Sequence, residues 1–260
     1  VTYTHGHHES VLRSHRWRTV ENSAAYLLPR LTAGARVLDV GCGPGNITAD
    51  IAARVAPAET IGIDAASDVI EQATRDFGDA ATFATGDVYA LDFDDDSFDI
   101  VHAHQVLQHL PDPVSALREM RRVCKPDGVV AARDSDYATF TWYPETPELV
   151  RWKELYHAIA RANSGEPDAG RFLLAWANAA EFSRVEPSAS VWSFATPDQR
   201  DWWGNLWADR MTDSAIAHQA ERDGFASRAE LDAIVAAWRA WAANPDAWFA
   251  LVHGEILATP

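Results

Sequence analysis

Residues 37–48 read VLDVGCGPGNIT. An apolar strand runs into Asp39, glycines follow at 41, 43 and 45, and a helical pattern begins. Glycine lets the backbone turn sharply and lets a ligand approach without interference from a Cβ. The helix behind the turn presents unpaired N–H groups to a negatively charged or electron-rich group. The stretch therefore predicts a nucleotide-like ligand at the carboxyl end of the first strand of an α/β sheet. A dinucleotide fingerprint calls for a glycine where Asn46 stands, so the pyrophosphate-hugging turn is imperfect. No P-loop lysine follows, which sets a triphosphate aside.

Working outward, strand-like runs occur at 35–40, 60–64, 81–87, 98–104 and 128–134. Helical periodicity lies between them. Over 68–77, Val69, Ile70, Ala73 and Phe77 share a face, with Ser67 as N-cap and Gly78 as the stop. Over 113–124, Pro113 suits the first turn and Val114, Leu117, Met120 and Val123 form the buried stripe. Alternation of this kind implies a parallel sheet with helices on both faces. Beyond 134 the pattern predicts helices at 147–163 and 169–181 and strands at 184–195 and 246–259. Between those strands, Trp202, Trp203, Leu206, Trp207 and Met211 fall on one helical face. Leu231, Ile234, Val235, Trp238 and Trp241 mark a second helix, opened by a Ser227–Glu230 capping box.

The chain of 260 residues is 47% hydrophobic, enough for a sizeable core, and carries a formal net charge of −16. Such an excess of negative charge repels phosphate backbones and argues against a nucleic-acid partner. No apolar run reaches the roughly 18 residues of a membrane span, and nothing reads as a signal peptide, so a cytoplasmic location is expected. Cys42 and Cys124 suggest neither a disulfide framework nor a metal site, and no metal is expected. The acidic run 92–96 reads as a solvated loop. Of 11 tryptophans, ten lie at or after Trp142, so the two halves present different surfaces.

The ends of the second and third strands extend the reading. Asp64 can accept from both ribose hydroxyls, and Asp87, in Gly86-Asp87-Val88, can accept from the exocyclic amine of an adenine. With VLDVGCGPGNIT, the stretches GIDAASDVIEQA, FATGDVYALDFDDDSFDIVHAHQVLQHLPDP and ALREMRRVCKPDGVVAARD resemble the class I S-adenosylmethionine-dependent methyltransferases. The similarity is to the small-molecule group that includes the ubiquinone/menaquinone C-methyltransferases. It covers residues 35–134. It implies a doubly wound, Rossmann-like sheet of seven strands, mostly parallel, whose last strand runs antiparallel, and S-adenosylmethionine as cofactor. By that resemblance Gly41, Gly43 and Gly45 line the methionine part, with Asp39 beside them. Asp64 and Ala65 meet the ribose, and Gly86, Asp87 and Val88 the adenine. His104 and Gln105 lie closest to the sulfonium.

The rest of the chain is divided into an N-terminal helical lid (1–31), a core (32–196 and 244–260) and a helical cap inserted before the last strand (197–243). The lid rests on Tyr3, His8, His15 and Trp17, costly residues for a free tail; a metal site at His5, His7 and His8 is disfavoured. One of His102, His104 and His109 is a candidate general base, the alternative being that they hydrogen-bond the cofactor or the sheet edge. Arg133, with Asp134 and Asp136, either faces the substrate or forms a structural ion pair. The expected activity is in-line methyl transfer to a small, apolar or aromatic metabolite. Trp202, Trp203, Trp207, Trp238 and Trp241 are expected mostly in the core, their excess placing some of them in the wall of its cavity. The alternatives are a nicotinamide-dependent oxidoreductase and a catalytically idle S-adenosylmethionine-binding module. The oligomeric state is not specified by these residues.

Overall fold

Short apolar runs form the sheet where the sequence places them. In the computed structural model, which describes residues 17–260, the first four strands are β1 (Val37–Val40), β2 (Thr60–Asp64), β3 (Thr82–Thr85) and β4 (Phe98–His104). The remaining three are β5 (Cys124–Tyr143), β6 (Arg184–Phe194) and β7 (Trp248–Thr259). All seven lie in one sheet of order β3-β2-β1-β4-β5-β7-β6. Strands β1 to β5 are mutually parallel, while β7 runs antiparallel to both β5 and β6. Strand order reverses between β1 and β4, so their carboxyl ends open a crevice at the topological switch point. The glycine turn empties into that crevice.

Helices α1 (Val20–Ser23), α2 (Asn46–Val55), α3 (Ser67–Phe77) and α4 (Pro113–Val123) accompany the first half. Pro113 occupies the first turn of α4, and its cap is Asp112, whose carboxylate accepts from the Ser115 N–H at 3.0 Å. Ser67 is the first residue of α3 and not its cap; Ala66 stands there, and its N–H is taken by Asp64 Oδ1 at 3.0 Å. His109 closes a separate 3-10 turn, Leu107–His109, ahead of α4, whose start is fixed by Asp112 and Pro113.

After β5 come α5 (Pro147–Ala162), a 3-10 turn at Ala169–Phe172 and α6 (Leu173–Ala179), so the single helix expected over 169–181 is divided. Strand β5 extends past Asp134 to Tyr143, with a register shift between Asp136 and Thr141. Thr139 holds that bulge: its hydroxyl donates to the Asp136 carbonyl at 2.7 Å and accepts from the Val252 N–H at 3.1 Å. Bulges redirect side chains, and this one carries Tyr137 and Phe140.

The insertion before β7 contains α7 (Pro197–Asp213), α8 (Ala215–Arg222) and α9 (Arg228–Ala243), with the Ser227–Glu230 capping box in place. These helices share a core with α5 and the bulged part of β5. Trp152 is fully buried there, edge-on to Trp207 at 4.6 Å and to Trp238 at 4.8 Å. Trp152→Ala should therefore destabilise the fold by about 3–5 kcal/mol. Trp248→Ala, at a residue 41% exposed, should cost less than about 1 kcal/mol. Urea unfolding of the two variants checks the contrast.

Candidate active site

Three glycines in left-handed conformation make the turn after β1: Gly41 at φ +67°, Gly43 at +56° and Gly45 at +87°. A Cβ on Gly41 would lie 2.4 Å from Val106 Cγ2, in the loop after β4, so side chains are excluded by contact as well as by dihedral. Asp39 is buried beneath the turn. Its Oδ2 accepts from the Thr48 hydroxyl at 2.5 Å and its Oδ1 meets His102 Nδ1 at 2.7 Å. Asp64 reaches back from β2, and its Oδ2 accepts from the Gly43 N–H at 3.1 Å. A carboxylate offers about four acceptor positions, so the two bonds Asp64 makes inside the chain leave it able to accept from a ligand. Asp87 is exposed at the end of β3, with Oδ1 accepting from the Tyr89 N–H at 3.0 Å.

A cavity of about 530 Å³ runs from this turn along the carboxyl edge of the sheet. Its near end is bounded by the glycine turn, Asp39, Asp64 and Ala65, then Gly86, Asp87 and Val88. Its far end is aromatic. Trp17, Trp192, Trp202, Trp203 and Trp207 line it, joined by Tyr137 and Phe140 from the bulge of β5. Trp238 and Trp241 are buried in the core and do not line the cavity.

His104, Gln105 and His109 stand between the two ends. His104 is buried, and neither ring nitrogen has a hydrogen-bond partner among the described residues. Burial, reinforced by the Arg18 charge, holds its imidazole well below the usual range. The same two causes push His109 down to about 3. Both rings are neutral near pH 7 and are weak bases, whereas a general base is best matched to the working pH.

Arg133 is not on the cavity wall. It points to the neighbouring strands, donating through Nε to Glu255 Oε1 at 3.1 Å and lying 4.7 Å over the Trp192 ring. Burial brings it down to about 10, so it stays charged in that ion pair. Asp136 is engaged with Arg171 at 2.6 Å. Asp134 accepts from the Gln108 N–H at 3.2 Å, and burial pushes its carboxyl up to about 7. These three residues form structural pairs and a turn anchor, and the substrate-facing alternative for Arg133 has no geometric basis here.

Sequence patterning missed Trp192, Tyr137, Phe140, Arg18 and Ser135 as cavity residues. The excess of tryptophan is the available signal for Trp192; for Tyr137 and Phe140 a bulge inside a strand leaves none. Tyr3, His5, His7, His8 and His15 lie outside the described residues. Among the described residues no group of three or more His, Cys, Asp or Glu could hold a metal ion, and no helix is long and apolar enough to cross a membrane.

Comparison with known proteins bears on this geometry. The model of a methyltransferase domain family matches residues 31–184. An uncharacterized methyltransferase of Schizosaccharomyces pombe is 33% identical over 272 residues, covering 98% of this chain and 95% of its own length. A trans-aconitate 2-methyltransferase of Methylobacterium radiotolerans is 33% identical over 194 residues, 74% of this chain and 69% of its own. Among solved structures, the fold is shared with phosphoethanolamine N-methyltransferase 2 of Haemonchus contortus in complex with phosphomonomethylethanolamine and S-adenosylhomocysteine. The TM-score is 0.55 at 19% identity, over 91% of this chain and 52% of that one.

Two expectations follow from the geometry. Gly41→Ala should abolish ligand binding at the turn without unfolding the sheet, as calorimetry and circular dichroism together would show. Asp134 ionises near its ordinary value of 3.8 when unfolded but only near 7 when folded. The unfolded state therefore loses its proton first, and this carboxyl makes stability fall as pH rises from about 4 to 7. Asp134→Asn retains an acceptor for Gln108 and should flatten that part of a melting-temperature profile.

Proposed function

The chain belongs to the class I S-adenosylmethionine-dependent methyltransferases, and from that premise we propose that its methyl acceptor is a small, apolar or aromatic metabolite. The carrying observation is the division of one cavity, with carboxylates and a glycine cradle at one end and seven aromatic rings at the other. Family membership displaces the nicotinamide alternative, in keeping with Asn46 at the third glycine position.

The cradle suits the cofactor. Gly41, Gly43 and Gly45 would hold its methionine part, Asp64 with Ala65 its ribose hydroxyls, and Asp87 with Gly86 and Val88 its adenine. S-adenosylmethionine supplies a sulfonium-activated methyl group, already on a good leaving group, for in-line displacement. What remains for the protein is alignment and exclusion of water. In this reading the rings of Trp202, Trp203 and Trp207 clamp a flat acceptor, and Trp17 closes the same end. His104, neutral and buried with neither ring nitrogen paired among the described residues, stands beside the acceptor end. His109 flanks it. In the same reading the acceptor is a small molecule and not nucleic acid, in keeping with the net charge of −16. Trp17 and Arg18 then belong to a lid, whereas Val20, Ala24 and Leu27 of the same segment are buried against β1, α2 and β5. Residues 197–243 act as the cap, and 32–196 with 244–260 as the core that carries the cofactor.

Removing a buried acceptor that pairs with a ligand donor costs about 1–3 kcal/mol. Asp64→Ala should lose that much S-adenosylmethionine affinity, and Asp87→Ala less, because Asp87 is exposed. Isothermal titration reads both. Trp203→Ala should keep cofactor affinity while losing methyl transfer to hydrophobic metabolites, assayed with a labelled methyl donor across an acceptor panel. Cofactor binding with no transfer to any member of a broad panel would favour the idle binding module.

A further inference from the structure

Gln105 is held in a conformation that its residue type does not favour. It ends β4 at φ +55°, in the left-handed region where a non-glycine residue carries strain. Four contacts hold it there. Its N–H donates to the Arg133 carbonyl at 2.7 Å, continuing the β4–β5 ladder. Its Nε2 donates to Ser135 Oγ at 2.8 Å and lies 3.0 Å from His253 Nε2. Its Oε1 accepts from the guanidinium of Arg18. The first three contacts belong to β5 and β7; the fourth belongs to the segment before α1.

Beside Arg18, Trp17 lies against the far end of the cavity, 5.1 Å from Trp192, edge-on, and 5.1 Å from Trp202. The Trp17–Arg18 segment thus covers the aromatic end by ring packing on one side and a charge-assisted hydrogen bond to Gln105 on the other. Ring packing is tolerant of small shifts, whereas a hydrogen bond to a fixed amide sets one position.

We infer that Gln105 is a positioning residue that latches the Trp17–Arg18 segment over the acceptor end of the cavity. The inference rests on the proposed reading of the aromatic end as the acceptor site. The left-handed backbone aims the amide from the sheet edge toward Arg18, and Ser135 and His253 fix the rotation of that amide. Its Oε1 is thereby presented to the guanidinium and its Nε2 to the sheet. Gln105 then governs closure and acceptor capture, not the hold on the cofactor, which differs from the cofactor-contacting role implied by resemblance.

Trypsin tests this directly, because cleavage after Arg18 requires the guanidinium to leave Gln105 and enter the protease. In the full chain saturated with S-adenosylhomocysteine, mass spectrometry follows the appearance of the product beginning at Thr19. Gln105→Ala should speed that cleavage by about tenfold or more, since a charge-assisted bond is lost from the closed state. Gln105→Gly, which suits the left-handed backbone, should do the same and covers the case in which the alanine variant fails to fold. Gln105→Glu keeps an oxygen for Arg18 and should restore slow cleavage. S-adenosylhomocysteine affinity by calorimetry should fall less in all three than in Asp64→Ala, which loses an acceptor for the ribose. Unchanged cleavage in the alanine and glycine variants, no rescue by glutamate, or a large loss of cofactor affinity in all three overturns the latch. Failure of the wild-type chain to bind S-adenosylhomocysteine would instead strike the methyltransferase reading itself.

Discussion

The carboxylate of Asp39 is the fixed point on which the site depends. It is 2% exposed, and its two oxygens are taken by Thr48 in the first turn of α2 and by His102 in β4. Three elements are thereby clamped at the strand end where order reverses. Between Asp39 and Thr48 the backbone must pass through three left-handed residues, which only glycine adopts at little cost. Asp64 ties the middle of that passage to β2 through the Gly43 N–H. A buried acceptor stripped of these donors would incur a desolvation penalty of about 1–3 kcal/mol, so the turn is held in shape before any ligand arrives. Preorganisation of this kind is what an alignment-driven displacement requires.

The tryptophans divide between two tasks that a single aromatic stripe cannot separate by period. Trp152, Trp238 and Trp241 fill the interior shared by α5, α7, α9 and β7, with Trp241 Nε1 donating to the Tyr143 carbonyl at 3.0 Å. Trp202, Trp203 and Trp207 project from α7 into the cavity wall, and Trp207 serves both sides, stacking near Trp238 at 6.3 Å. A wall backed by large rings is stiff, and Phe194 parallel to Trp203 at 4.3 Å stiffens it further. The aromatic end of the cavity, which also carries the Arg210 guanidinium 4.8 Å over the Trp207 ring, is therefore a shaped surface continuous with the core. Its polarity contrasts with the carboxylate-bearing end only a few residues away along the strand tips.

Much of this was legible in the residues. Strand runs and helical stripes over 35–134 correspond to β1 to β5 and to α3 and α4, because apolar periodicity there is uninterrupted and short connections leave little freedom. The last two strands and the insertion between them were also readable, the capping box at Ser227–Glu230 included. What was hidden depends on contacts distant in sequence. The continuation of β5 beyond Asp134 is stabilised by pairing with β7 more than 100 residues later, and with it came Tyr137 and Phe140. Arg133 was ambiguous in sequence because its partner, Glu255, lies 122 residues away. His104 and His109 read as bases from residue type alone; burial, which no local pattern reports, makes them weak ones.

The central claim is that one cavity holds the methyl donor at the glycine end and the acceptor at the aromatic end. A crystal structure with S-adenosylhomocysteine tests it most directly. The account predicts the adenosyl group along the tips of β2 and β3, with the sulfur opening onto space walled by Trp202, Trp203 and Trp207. Density for the ligand with its sulfur turned away from those rings, or seated elsewhere on the chain, would contradict it.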